Sequence, residues 1–170
     1  DVYKRQGAAW TLHVTHSPVP GLPDGVWVAL GRLWRCRGSQ PESLRLQVHN
    51  HIEDPEDVDE IVGHLTGTAG SGSSVEEAAL LVRVLEAITA DRPAVLWIDD
   101  VQWGPDALTL VEALSRKPLP LVMVLTAQEE ALAEQPELHR QLDAMLSAGR
   151  AEAMPCLLYT SDAADEVLGV

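Results

Sequence analysis

The chain of 170 residues contains no phenylalanine, and its two tyrosines stand at positions 3 and 159, so between its ends tryptophan is the only aromatic residue. Cysteine is equally scarce. Cys36 and Cys156 are too few for a disulfide framework and fit no metal-binding spacing. Basic residues number only 12 against 26 acidic ones, a formal net charge of −14. Such an excess of carboxylates repels phosphate backbones and leaves no basic patch for nucleic acid or an anionic membrane. No stretch approaches the roughly 18 unbroken apolar residues of a membrane span, and the N-terminus has no apolar signal core. A cytoplasmic protein without membrane contact is the expectation. Hydrophobic residues nonetheless make up 46% of the chain, enough to bury one domain-sized core and too many for a disordered acidic tail. No internal repeat is visible.

The two ends need separate treatment. Asp1 to Gln6 can be encoded by GAT GTG TAT AAG AGA CAG, and the reverse complement of that DNA, read one base over, encodes Cys156 to Ser161. This string resembles the transposon-end adapter of sequencing libraries, and Asp162 to Glu166 resembles its translated continuation. Residues 1–6 and 156–170 are therefore expected to be adapter-derived tails around a native piece, 7–155, cut at both sides. The first six residues carry +1 and the tail −3, which leaves the interior at −12. Its acidity is its own.

Within the interior, Trp10, Leu12 and Val14 alternate with Thr11, His13 and Thr15, the period of a half-buried strand suited to a sheet edge. Pro18, Pro20, Gly21 and Pro23 break the chain before a helix over 26–34. Two short helices follow over 42–52 and 55–65, the second with Asp54 as N-cap and Pro55 at the first helical position. Gly67 to Ser73 reads as a flexible connection. Ser74 and Glu77 have capping-box spacing ahead of a helix carrying Leu81, Val84, Leu85 and Ile88. Ala94 to Ile98 is a continuous apolar run, the pattern of a strand covered on both faces. A helix from Pro105 and Asp106 turns Leu108, Val111 and Leu114 inward, Pro118 and Pro120 end it, and Leu121 to Leu125 is a second buried strand. A helix over 138–146 and a further strand at 151–154 complete the reading. Strand, helix, strand at this spacing predicts a right-handed parallel crossover and the α/β class.

In open parallel sheets ligands bind beyond the carboxyl ends of the strands, where Asp99, Asp100 and Thr126 fall. Two acids after a buried strand cannot both enter the core, and alternation sends one to each side of the strand tip. One can hold Mg²⁺ through its water shell while the other positions an attacking water.

The run Ala94-Val-Leu-Trp-Ile-Asp-Asp-Val-Gln-Trp-Gly-Pro-Asp106, followed by Leu108 to Leu114 and Leu119 to Thr126, resembles the Walker B and sensor I region of P-loop ATPases. The branch it is most similar to is the AAA-like, STAND-type module fused to bacterial transcription regulators, cyclases and serine/threonine kinases. Ser43 to Leu65 is similar to the helical insert of such modules. The resemblance implies an ATP-binding module with Mg²⁺ as cofactor and an effector domain on the same polypeptide. It implies Asp99 as the magnesium residue, Asp100 as the water-polarising residue, and Thr126 and Gln128 as sensor residues near the nucleotide. The fold it implies is a partial P-loop NTPase three-layer sandwich whose parallel sheet lacks the P-loop strand.

Two departures stand out. No G-x-x-x-x-G-K-[ST] loop occurs, since Gly67 to Gly72 has no lysine and follows no strand. In the family that loop precedes the strand matched by Trp10 to Val14, so it is expected upstream of Gly7, and the fragment alone is expected to be inactive. Loss of the P-loop strand would bare the edge of 121–125 and leave 151–154 unpaired. Many relatives also carry arginine where Gln128 stands, and glutamine offers only a neutral hydrogen bond. The rival expectation is a nucleotide-independent interaction scaffold derived from an ATPase fold.

Other features read as structural. A phosphoacceptor receiver domain would need an aspartate after a later strand, and Thr126 to Gln128 supplies none. Trp97 and Trp103 are expected to pack rather than form an adenine platform. His49 and His51, two apart on a helix, face away from each other. His13 falls on the polar face of its strand, Cys36 reads as an inert buried thiol, and Glu129, Glu130 and Glu134 as a solvated face.

Overall fold

A computed structural model describes residues 9–19, 24–36, 39–70 and 72–155. The adapter-like ends, Cys156 among them, lie outside the described residues. Three strands, β1 (Trp10–Thr15), β2 (Ala94–Asp99) and β3 (Leu121–Leu125), form one all-parallel sheet in the order β1-β2-β3. Seven helices accompany them among the described residues: α1 (Gly25–Leu33), α2 (Pro41–His49), α3 (Pro55–Thr66), α4 (Ser74–Asp91), α5 (Pro105–Leu114), α6 (Glu129–Ala133) and α7 (Pro136–Ser147). The α/β class with a parallel sheet is as expected, and β1 lies at the sheet edge. None of the described helices is long and apolar enough to cross a membrane.

The register aligns Leu12 with Leu96 and Met123, and Val14 with Ile98 and Leu125. These residues share one face because side chains alternate along a strand. Leu12, Val14, Leu96 and Ile98 are sealed in a single cluster with Leu30 of α1, Leu85 and Ile88 of α4, and Leu110 and Val111 of α5. Each such buried side chain stabilises the fold by about 1.5–3 kcal/mol.

The opposite face differs from expectation. Val95, Trp97, Val122 and Val124 follow the same alternation outward, and Trp97 is 40% and Val122 59% exposed. The described helices cover one side of the sheet, so the described architecture has two layers where the family pattern predicts three. An uninterrupted apolar strand needs cover on both faces only if both faces have something to meet.

The caps follow from local chemistry. Asp54 accepts from the backbone N–H groups of Glu56 and Asp57, with Pro55 at the first position of α3, as the sequence predicts. The same helix ends at Gly67, whose φ of 73° suits a residue without Cβ. The capping box of α4 is one residue earlier than expected: Ser73 Oγ accepts from the Glu76 N–H and Glu76 accepts from the Ser73 N–H, while Ser74 is already helical. The serine pair offers two frames three residues ahead of adjacent glutamates, and spacing alone cannot choose between them. Residues 151–154 form no strand and are exposed, with no neighbouring strand there to satisfy their backbone groups. Glu129, Glu130 and Glu134, expected as a solvated face, are exposed, and the first two open the short helix α6, whose half-buried Leu132 packs against the core.

Replacement of Ser73 by alanine is expected to lower the unfolding free energy by about 1 kcal/mol. Ser74→Ala is expected to stay within about 0.5 kcal/mol of the parent. Denaturant titration of the two variants distinguishes the caps.

Candidate functional site

β2 delivers Asp99 and Asp100 to the carboxyl end of the sheet, and β3 delivers Thr126 and Gln128 beside them. The ladder continues past the strands, with Thr126 N–H donating to Ile98 C=O and Val101 N–H to Thr126 C=O, both at 3.0 Å. All four residues expected at a nucleotide site are therefore neighbours at one strand tip.

The Thr126 hydroxyl joins the two acids. It donates to Asp99 Oδ1 and accepts from the Asp100 N–H at 3.0 Å. Asp99 keeps strand alternation and lies on the outer side, its Oδ2 3.9 Å from His13 Nε2, with 37% of its side-chain surface exposed. His13 in turn stacks on Trp97, ring centroids 4.3 Å apart. Trp97 and Trp103, expected to pack, are both partly exposed, at 40% and 38%, and Trp97 packs through its stack on His13.

Asp100 leaves the strand altogether. Its φ of 55° and ψ of 50° are left-handed, a conformation that aspartate tolerates better than most residues but that costs about 1–2 kcal/mol. A short 3₁₀ turn, Val101–Trp103, follows. The expected division of the acids between two sides of the strand gives way to this turn, because Asp100 no longer obeys strand alternation. Its Oδ1 accepts from Gln102 Nε2 at 3.1 Å and Gln128 Nε2 at 3.2 Å.

Gln102 is the residue that sequence reasoning did not assign. It is 1% exposed, and its Oε1 accepts from the Gln128 N–H at 3.4 Å while its C=O accepts from Gln135 Nε2 at 2.9 Å. A buried amide of this kind ties the acidic tip to the segment after β3 and to the start of α7. The sequence marks it only as part of the Asp99-Asp100-Val-Gln-Trp103 run that carries the resemblance, and no periodicity assigns it a role of its own.

The acid pair lies on the rim of the sheet, with Asp99 partly exposed. A cavity of about 300 Å³ lies elsewhere, bounded by the N-terminal ends of α1, α4 and α5 and lined by His16, Asp24, Trp27, Glu77, Trp103 and Asp106. The Trp27 indole N–H donates to Glu77 Oε1 at 2.5 Å. Gly104 is needed here, since a Cβ at that position would overlap the His16 imidazole. His16 Nε2 is shielded from solvent and has no hydrogen-bond partner among the described residues. Burial pushes the imidazole below its ordinary pKa, with Asp24 and Asp106 opposing part of the shift. Burial likewise pushes the Cys36 thiol up, so it is buried and protonated as expected.

A lowered histidine pKa means that the unfolded chain binds the extra proton more readily. The stability contributed by neutral His16 is then complete above about pH 6.5 and is lost as pH falls through the lower, folded-state value. The parent is expected to lose stability between pH 7.5 and 5.5 relative to His16→Gln, measured by denaturant midpoints of both proteins across that range.

Compared with models of known protein families, with curated proteins and with solved structures, the chain matches none.

Proposed function

We propose that this chain is the Walker B and sensor I half of an ATP-binding module of the AAA-like, STAND-type P-loop ATPases, whose Mg²⁺ATP turnover switches an effector domain on the same polypeptide. The observation that carries this reading is the Thr126 hydroxyl, which bridges the Asp99 carboxylate and the Asp100 amide at the carboxyl end of the central strand. An acidic strand tip clamped to the next strand in a parallel sheet is where ligands of such sheets bind.

The donor set suits magnesium. Each acid commits Oδ1 to the protein and leaves Oδ2 without a hydrogen-bond partner among the described residues. Mg²⁺ keeps several waters and needs only one or two carboxylates, the remaining positions being filled by phosphate oxygens. Asp99, which keeps to the outer side of the strand, would hold the hydrated ion. That ion would supply charge neutralisation at the phosphates. Asp100, oriented by the Gln102 and Gln128 amides, accepts a hydrogen bond from the attacking water. Gln128 offers a neutral donor at the nucleotide's edge, and Thr126 holds both acids in place. The backbone cradle and lysine of a P-loop are absent from the sequence, so this chain alone is expected to bind the triphosphate weakly and not to hydrolyse it.

The rival reading, a nucleotide-independent interaction scaffold, draws on the exposed outer face with Trp97, Val122 and Val124. The two part at the gene upstream of residue 7. A strand followed by a glycine-rich GK[ST] loop supports the ATPase, and its absence supports the scaffold.

In a form extended through such a loop, Asp99→Asn is expected to lower magnesium-dependent ATP turnover by about 100-fold, while Thr126→Val, which keeps both carboxylates, costs about tenfold. Steady-state phosphate release measures both. Turnover unchanged in Asp99→Asn removes that residue from the site.

A further inference from the structure

A second cavity, about 780 Å³, opens between α1 and α3, away from the acid pair, and shares only Trp27 with the cavity beside His16. Its apolar wall comes from Val28, Leu44 and Leu65. Trp27, whose indole stacks on the His64 ring at 4.4 Å between centroids, closes one side. Among the described residues its charged groups are Arg32 and Arg35, and no described aspartate or glutamate lines it. In a chain with 26 acidic residues that composition is unusual.

With Arg150, which lies far along the chain after α7, the two arginines stand apart from the other described cations. Arg45, Arg83, Arg92, Arg116, Lys117 and Arg140 each sit on a carboxylate. Arg32 and Arg35 have no ion-pair or hydrogen-bond partner for their guanidinium groups among the described residues. The backbone at Arg35 is also strained. The Arg35 N–H donates to Arg32 C=O at 3.1 Å and the Cys36 N–H to Gly31 C=O at 2.8 Å, a Schellman closure of α1 that sets Arg35 at φ 54°. That position favours glycine, and an arginine there stores about 1–2 kcal/mol of backbone strain. The strain holds a second guanidinium beside the same cavity as the first.

We propose that this cavity binds a small organic anion with an apolar body, its carboxylate held between Arg32 and Arg35 and its hydrocarbon laid on Val28, Leu44 and Leu65. Arginine's planar donor fork matches a carboxylate bidentately, and the volume is that of a drug-sized ligand site. The buried, protonated Cys36 thiol adds no opposing charge. Because the chain as a whole is strongly acidic, such binding depends on this local pair and not on net charge.

The test is calorimetric titration of the full chain with 1-naphthylacetate, with the neutral 1-naphthylacetamide and with acetate. The naphthylacetate is expected to bind at least tenfold tighter than either. The double variant Arg32→Gln, Arg35→Gln removes only exposed side chains and is expected to bind acid and amide alike. Arg35→Gly separates binding from folding: it is expected to raise the melting temperature by relieving the backbone while weakening naphthylacetate binding severalfold. Equal binding of acid and amide by the parent, acetate bound as tightly as naphthylacetate, no binding at low millimolar concentration, or a preference for the acid retained in the double variant would each overturn the proposal.

Discussion

Leu12, Val14, Leu96 and Ile98 are almost completely withdrawn from water, and their burial against α1, α4 and α5 determines how the sheet is turned. Because strand side chains alternate with a period of two, placing this set inward commits His13, Trp97 and Asp99 to the other side. A slip of one residue in either outer strand would send its apolar set into solvent. The parity that stabilises the fold therefore also orients the first acid of the candidate site, before any polar contact is counted. The hydrogen bonds of Thr126 and Gln102 refine a placement that packing has already made.

Much of this was legible in the residues. The apolar run ending in Asp99-Asp100, the helix from Pro105 and the run 121–125 mark a strand, helix, strand unit without ambiguity, since Pro105, Pro118 and Pro120 punctuate it. Asp54 with Pro55 likewise marks the start of α3. Where neighbouring residues offered equivalent patterns, as at Ser73 and Ser74, the outcome depended on backbone geometry that spacing does not carry. Residues 151–154 illustrate a different limit: a short strand exists only through its partner, and partners are set by the whole sheet. The uncovered face of β2 and β3 was illegible for a related reason, because an apolar run reports what a strand could bury and not what arrives to cover it.

Among the described residues, only Arg35 and Asp100 hold positive φ without being glycine. Each stands at a place where a charged side chain is carried out of the regular path of its element, Asp100 off the end of β2 and Arg35 off the end of α1. In both, backbone hydrogen bonds fix the turn: Val101 N–H to Thr126 C=O at the acid, and the Schellman pair at the arginine. The fold thus spends local backbone strain at two points of opposite charge, one at the sheet rim and one over the cavity between α1 and α3. Glycine at either position would relax the chain and delete the charge.

The bare side of the sheet has a colloidal consequence. Trp97, Val122 and Val124 face water on a molecule whose formal charge is −14, and β3 has no strand beyond it among the described residues. Two copies that could otherwise zip edge to edge or seal face to face meet mutual repulsion first. That repulsion is long-ranged only while the ionic atmosphere is thin, reaching about 30 Å at 0.01 M salt and about 8 Å at 0.15 M. The barrier between two copies is thus set by carboxylates, and added electrolyte weakens it while leaving the sticky surface untouched.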